Sequence, residues 1–132
     1  ALGRLFYGIV GYGAFEINNK ITQSIEIRKA SQDNLVAVAS SSHRDKKTDD
    51  WLKSNKISKT ISIGSSLKFC LLASGEADVY PRFGPTMEWD TAAGDAVLRS
   101  AGGKVHNIDG TNFSYGKNNY KNGAFIAKGD YY

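Results

Sequence analysis

One cysteine, Cys70, stands in the 132 residues, so no internal disulfide can form and a reducing, cytoplasmic setting is the default. No apolar run reaches the roughly 18 residues a membrane helix needs, and no transmembrane segment is expected. No signal peptide is expected from the opening residues, where Ala-Leu-Gly-Arg passes directly into strand-like sequence. Charge is not of one sign. Seventeen basic residues face 13 acidic ones, for a net charge of +4, and the basic residues are spread along the chain. This admits a solvated lysine-rich surface or attraction for an anionic ligand such as a phosphate ester. No aromatic-rich RNA-binding strand or similar module is present, so a nucleic-acid polymer is not an expected partner. Gly8, Gly11 and Gly13 lack the G-x-G-x-x-G spacing and no helix follows them, which excludes a dinucleotide loop.

What is present is ordinary for a globular chain: 41% hydrophobic and 23% charged residues. The length fits one domain, or one and a fraction, and can bury a real core. Ala1 is not a methionine and Leu5-Phe6-Tyr7 already reads as a strand, so further sequence is expected upstream.

Residues 4–17 are rich in aromatic and β-branched types punctuated by glycine, which predicts a hairpin turning at Gly11 to Gly13. Ser24 to Ile27 reads as a third strand and Ser31 to Asn34 as a break. From residue 35 the texture changes. Leu35 to Ala39 is a short apolar run suited to a strand covered on both faces. A polar helix over Asp45 to Asn55, a strand over Lys59 to Ile63 and an apolar helix over Leu67 to Ser74 follow, the last stopped by Gly75. Ala77 to Tyr80 reads as a strand, Pro81 to Glu88 as a loop and Thr91 to Ala101 as a helix. Val105 to Ile108 and Gly123 to Lys128 close the pattern as strands. Asp109-Gly110-Thr111 lies between strand-like stretches and reads as a hairpin turn, not a metal motif. Alternating strands and helices predict an α/β, mostly parallel sheet flanked by helices. Ligands bind beyond the carboxyl ends of such strands.

Candidate residues gather there. Gly64-Ser65-Ser66 precedes a helix and can offer N–H groups and a hydroxyl to an anion, or act as a plain cap. Lys68 reads as a surface lysine or as a second grip on the same anion. Arg82 can fork onto a phosphate, or sit solvated in its loop. His43, at a strand end, is structural, exposed or functional. Asp90 is either the cap of the helix that follows or an oxygen ligand to a hard divalent cation.

Three stretches together resemble a known family: Trp89-Asp90-Thr91-Ala92-Ala93-Gly94 with Ala101-Gly102-Gly103, Ser62 to Leu71, and Tyr80 to Thr86. They are similar to the inositol monophosphatase superfamily, and within it to the CysQ type of 3′(2′),5′-bisphosphate nucleotidase. Arg82 favours that type, because inositol phosphatases typically carry an acid there. Ser40 to His43 also suits it. The resemblance covers nearly the whole chain. It implies the carboxy-terminal half of an αβαβα layered sugar-phosphatase fold. Residues 1–30 would be the last strands of a first, antiparallel, metal-binding sheet, and residues 31–132 a substrate-binding α/β domain. It implies magnesium-dependent hydrolysis of adenosine 3′(2′),5′-bisphosphate to AMP and phosphate. Asp90 would be a Mg2+ ligand and would touch substrate. Ser65, Lys68 and Arg82 would grip the phosphate that stays, His43 would lie near the nucleotide, and Gly64 would let the backbone approach.

The chain departs from the family pattern in one large respect. It lacks the upstream glutamate helix end and the Asp-Pro-x-Asp-Gly-Thr motif, and His106 stands where that motif's first aspartate would be. Taken alone, the chain is therefore expected to be inactive. Two alternatives stay open: inositol monophosphate hydrolysis, or a non-catalytic anion-binding half. Self-association, or pairing with a missing amino-terminal half, is expected through Leu5 to Phe15. The expected location is cytoplasmic, with the inner face of the membrane as the alternative.

Overall fold

The computed structural model describes residues 3–40 and 45–131. Its first part is a three-stranded antiparallel sheet of β1 (Arg4–Ile9), β2 (Gly13–Asn18) and β3 (Ile21–Ile25). The β1–β2 turn falls at Gly11 and Gly13, which take φ of 87° and 136°, values that suit glycine. Strand β3 begins three residues earlier than its composition indicates. Asn18 pairs with Ile21, and the two residues between them, Asn19 and Lys20, both have positive φ. That is the geometry of a two-residue hairpin turn, built here without its usual glycine.

The second part is a five-stranded sheet. Its members are β5 (Val36–Ala39), β6 (Lys59–Ser62), β7 (Val79–Arg82), β9 (Lys104–Asn107) and β11 (Phe125–Lys128), in the order β6-β5-β7-β11-β9. Strand β5 runs parallel to β6 and β7, while β11 is antiparallel to β7 and β9. Four strands thus point one way and β11 runs against them. Short pairs add to this frame: β4 (Lys29–Ala30) with β12 (Asp130–Tyr131), and β8 (Thr86–Met87) with β10 (Lys121–Asn122).

Three α-helices make the layers: α1 (Lys46–Ser54), α2 (Leu67–Ala73) and α3 (Glu88–Ser100). Alternation along the strands sorts the core into two. Val38, Tyr80, Val105, Phe125 and Ala127 face α2 and α3, whose other side meets Ala14 and Ile25 of the small sheet. Ala37, Val79 and Ile126 face Leu52 and Trp51 of α1. The order of layers is therefore sheet, helices, sheet, helix.

Local chemistry explains the helix ends. Asp45 caps α1 by accepting the Thr48 N–H at 2.9 Å. After α2, Gly75 takes φ 72° while the Gly75 and Glu76 N–H groups close onto Leu72 and Leu71, a glycine-terminated stop. Helix α3 starts one turn before the sequence pattern indicates. Asp90 is not its cap but lies in its first turn, where it accepts the Met87 N–H at 2.8 Å. Asp109-Gly110 is a turn, with Gly110 at φ 84° and Asp109 accepting the Thr111 N–H.

Buried acids tie the parts together. Asp78 receives both arms of Arg28, at 2.7 and 2.6 Å, and the Val36 N–H. Glu16 pairs with Arg4, which also reaches Glu76 beyond α2. Charge-assisted pairs of this kind fix the orientation of the small sheet on the helices.

Candidate functional site

A cleft of about 570 Å³ opens beyond the carboxyl ends of β5, β6 and β7. Its walls include Gly64, Ser65, Lys68, Arg82 and Asp90, five candidates that are far apart in sequence. The three strand ends and the first turns of α2 and α3 converge there, the placement expected of an open α/β sheet. His43, the remaining candidate, lies outside the described residues.

Lys68 is the most informative side chain. It is not a surface lysine but 3% exposed, on a helix whose next five residues are also buried. Its ammonium group donates to the Ser65 carbonyl at 3.1 Å and sits 5.2 Å from the centre of the Tyr80 ring. Among the described residues no carboxylate pairs with it. Burial, and secondarily the charge of Arg82, push its pKa down to about 8. An ammonium carries three N–H donors, so this one keeps capacity for an anion.

The neighbours are arranged to match. Ser65 has φ 61°, a backbone setting rarely taken by serine, and its Oγ accepts the Ser66 N–H at 2.6 Å. Ser66 starts α2 without a side-chain cap, so the plain-cap reading of this turn fails for it. A Cβ on Gly64 would meet nothing within 4 Å, so the backbone borders open space. Arg82 is half-buried and folds over its own loop, donating to the Gly84 carbonyl at 3.1 Å and to Pro85 at 3.4 Å. Both acceptors are neutral carbonyls, and the nearby Asp45 carboxylate feels the guanidinium charge.

Asp90 is exposed at the opposite wall. Its Oδ2 is engaged by Met87, leaving Oδ1 for a cation. A hard dication needs about six oxygen ligands. Among the described residues, no group of three or more His, Cys, Asp or Glu could hold one. Asp90 offers one carboxylate oxygen and does not by itself make a metal site.

Residue-type reasoning passed over several wall residues. Tyr80 is buried beneath Lys68, Thr86 and Thr91 share the buried Asn122 amide at 3.1 Å each, and Trp89 stands 68% exposed at the rim. Trp89 had a signal, its place beside Asp90. Tyr80 and the threonines had none before the strands were assembled.

A model of the inositol monophosphatase family matches residues 1–129. An uncharacterized Rhizobium leguminosarum bv. phaseoli protein is 67% identical over 67 residues, covering 51% of this chain and 70% of that protein. The 3′(2′),5′-bisphosphate nucleotidase CysQ of Salmonella typhimurium is 45% identical over 95 residues, covering 72% of this chain but 38% of the relative. The solved structure of CysQ from Bacteroides thetaiotaomicron superposes with a TM-score of 0.85 at 35% identity, covering 96% of this chain and 54% of that one. The chain therefore spans about half the length of that solved relative, and less of the CysQ relative from Salmonella. Its mixed sheet and three helices are those of the family's solved structures. No helix among the described residues is long and apolar enough to cross a membrane.

Proposed function

This chain belongs to the inositol monophosphatase family, whose members are phosphoric monoester hydrolases, and from that membership we propose that it is the substrate-gripping part of a hydrolase that converts adenosine 3′(2′),5′-bisphosphate to AMP and phosphate. The observation that carries this reading is Lys68: a buried cation with no acidic partner among the described residues, sharing a cleft with Arg82. An uncompensated buried charge is costly, and an anion in the cleft relieves it. Two cations in one cleft suit a phosphate that is gripped rather than cleaved. Ser65, Lys68 and Arg82 hold the phosphate that stays, and Gly64 lets the backbone approach it. Arg82 favours a bisphosphate over an inositol phosphate, because a guanidinium forks onto phosphate oxygens and a polyol needs acceptors.

Metal dependence is a property of the family. In this reading the metal is Mg2+, which neutralises phosphoryl charge and activates water when bound. Asp90 contributes one carboxylate, and the other ligands come from a segment that is not among these residues. That segment covers β1 and β2, and in this reading residues 1–30, with β1 to β3, are the terminal strands of the metal-binding sheet. These 132 residues alone are then expected to release no phosphate above background from adenosine 3′,5′-bisphosphate with magnesium, because phosphate monoesters react very slowly without a complete site.

Calorimetric titration of the chain with adenosine 3′,5′-bisphosphate, beside its Arg82→Ala variant and with inositol 1-phosphate as the comparison ligand, tests the reading. The bisphosphate binds the parent chain, binds Arg82→Ala at least about tenfold more weakly, and outcompetes inositol 1-phosphate. Equal titration of the two proteins refutes the role of Arg82. Preference for inositol 1-phosphate moves the substrate to the inositol class.

A further inference from the structure

Two large aromatic rings stand in solvent side by side, one of them at the rim of the cleft. Trp89 is 68% exposed and lines it, and Tyr120 is 59% exposed with its ring centre 6.4 Å from that of Trp89. The pair is within aromatic contact range.

The fold holds Tyr120 there at some expense. Asn119 and Tyr120 both take positive φ, 56° and 53°. Consecutive non-glycine residues in that region store backbone strain, and a bulky residue there is an outlier. The segment is clamped on both sides. Upstream, the buried Glu88 carboxylate accepts the Gly116 and Lys117 N–H groups at 2.9 Å and meets the Lys117 ammonium at 2.7 Å. Downstream, Lys121 pairs with Met87 in the β10–β8 ladder. Glu88 and Met87 are the residues just before Trp89, so both clamps pull Tyr120 to the first turn of α3.

We infer that Trp89, braced by Tyr120, is the stacking platform for the heteroaromatic base of a nucleotide whose retained phosphate is held by Lys68 and Arg82. The cleft supplies cations for phosphate, and its rim supplies a fixed, solvent-facing π surface. A ligand that uses both has a planar ring joined to phosphates. The inference rests on the phosphate-cleft reading above and adds the group that reads the base. Stacking is tolerant of base identity because every base has a π face.

The test uses the chain with Trp51→Phe, which leaves Trp89 as the one indole. Two probes are compared: adenosine 3′,5′-bisphosphate and a base-free anhydroribitol bisphosphate of the same charge. Indole fluorescence is quenched by the nucleotide and unchanged by the base-free probe. Trp89→Leu weakens the nucleotide about tenfold and leaves the base-free probe untouched. Trp89→Phe, which keeps a ring, retains most of the affinity. Equal effects of Trp89→Leu on both probes, or none on either, overturn the platform and leave the phosphate cleft standing. If neither probe binds the parent protein, the phosphate-cleft reading fails and the platform fails with it.

Discussion

The ammonium group of Lys68 lies over the ring of the buried Tyr80, 5.2 Å from its centre, and donates to the Ser65 carbonyl, its one hydrogen-bonding partner among the described residues. A ring face and a carbonyl offset only part of the hydration lost by a lysine that is 3% exposed. The charge therefore costs the folded state something that an anion returns.

This gives a pH dependence with a definite sign. The folded pKa of Lys68 is about 8, against an ordinary 10.5. Between these values the unfolded chain holds a proton that the native chain has released. The contribution of Lys68 to stability therefore rises with pH across that window. Urea midpoints measured from pH 7 to 10 should rise more for the parent than for Lys68→Met, and Lys68→Met should be at least as stable at pH 7. Bisphosphate affinity should fall as pH climbs past about 8, and that fall should vanish in Lys68→Met. Parallel curves for the two proteins would remove Lys68 from the site.

Glu88 titrates in the opposite sense. Its carboxylate is held down to about 2, from an ordinary 4.5, first by the Lys117 ammonium and then by the Gly116 and Lys117 N–H groups. It contributes stability above 4.5 that is lost as pH falls toward 2. Glu88→Gln should lower the thermal midpoint at neutral pH, and the gap to the parent should close as pH falls through that range. Because Glu88 anchors the segment that leads to Tyr120, near-ultraviolet dichroism from Trp89 should change as well. A pH-independent gap would mean the clamp is not electrostatic.

Much of this fold could be read in the residues. The apolar run at Leu35 to Ala39 marked a strand buried on both faces, and β5 has α1 on one side and α2 on the other. The site was legible as a set of types but not as depths. Gly64, Ser65, Lys68, Arg82 and Asp90 do converge. Yet the burial of Lys68 was invisible, because lysine on a short helix is normally solvated and only the packing of α2 over Tyr80 decides otherwise. The turn at Asn19-Lys20 was missed because its residues lack the glycine that signals one. The extra turn of α3 was missed because its stabilising bond joins the Met87 N–H, as donor, to the Asp90 carboxylate three residues further on. Each failure lies where a tertiary contact or an uncommon backbone choice overrides local preference.

Gly94 is the packing point beneath the cleft. A Cβ at this position would come within 2.6 Å of the Phe69 ring, itself 1% exposed and stacked on Phe125 with 5.9 Å between ring centres. The rings are held by Tyr80 and Phe113, so Phe69 has no room to yield. Gly94→Ala should destabilise by about 1–3 kcal/mol through overpacking. Gly64→Ala is the matched contrast, because open space surrounds that Cβ and its stability should stay within about 0.5 kcal/mol. Gly64→Ala should instead weaken anion binding, since the new methyl intrudes on the cleft. Denaturant curves with ligand titrations of both variants separate the two effects.

The small sheet carries the last consequence. Leu5 and Ile9 are each 56% exposed and Tyr7 is 38% exposed, alternating along β1 on the face turned away from α3. Tyr7 stacks on Phe15, and Ile17 stands opposite Leu5, so the apolar surface continues onto β2. Among the described residues β1 pairs with β2 alone, which leaves its outer ladder open. An apolar face beside an open edge invites a second strand-bearing partner. In solution the chain should associate with itself as concentration rises, seen as a shift in sedimentation coefficient. Added salt should not reverse it, because the contact is apolar rather than ionic. Leu5→Lys with Ile9→Lys should return the chain to monomer with the thermal midpoint nearly unchanged, since both side chains already face solvent. A chain that sediments as a monomer at high concentration, with both residues intact, would show that the face needs no cover.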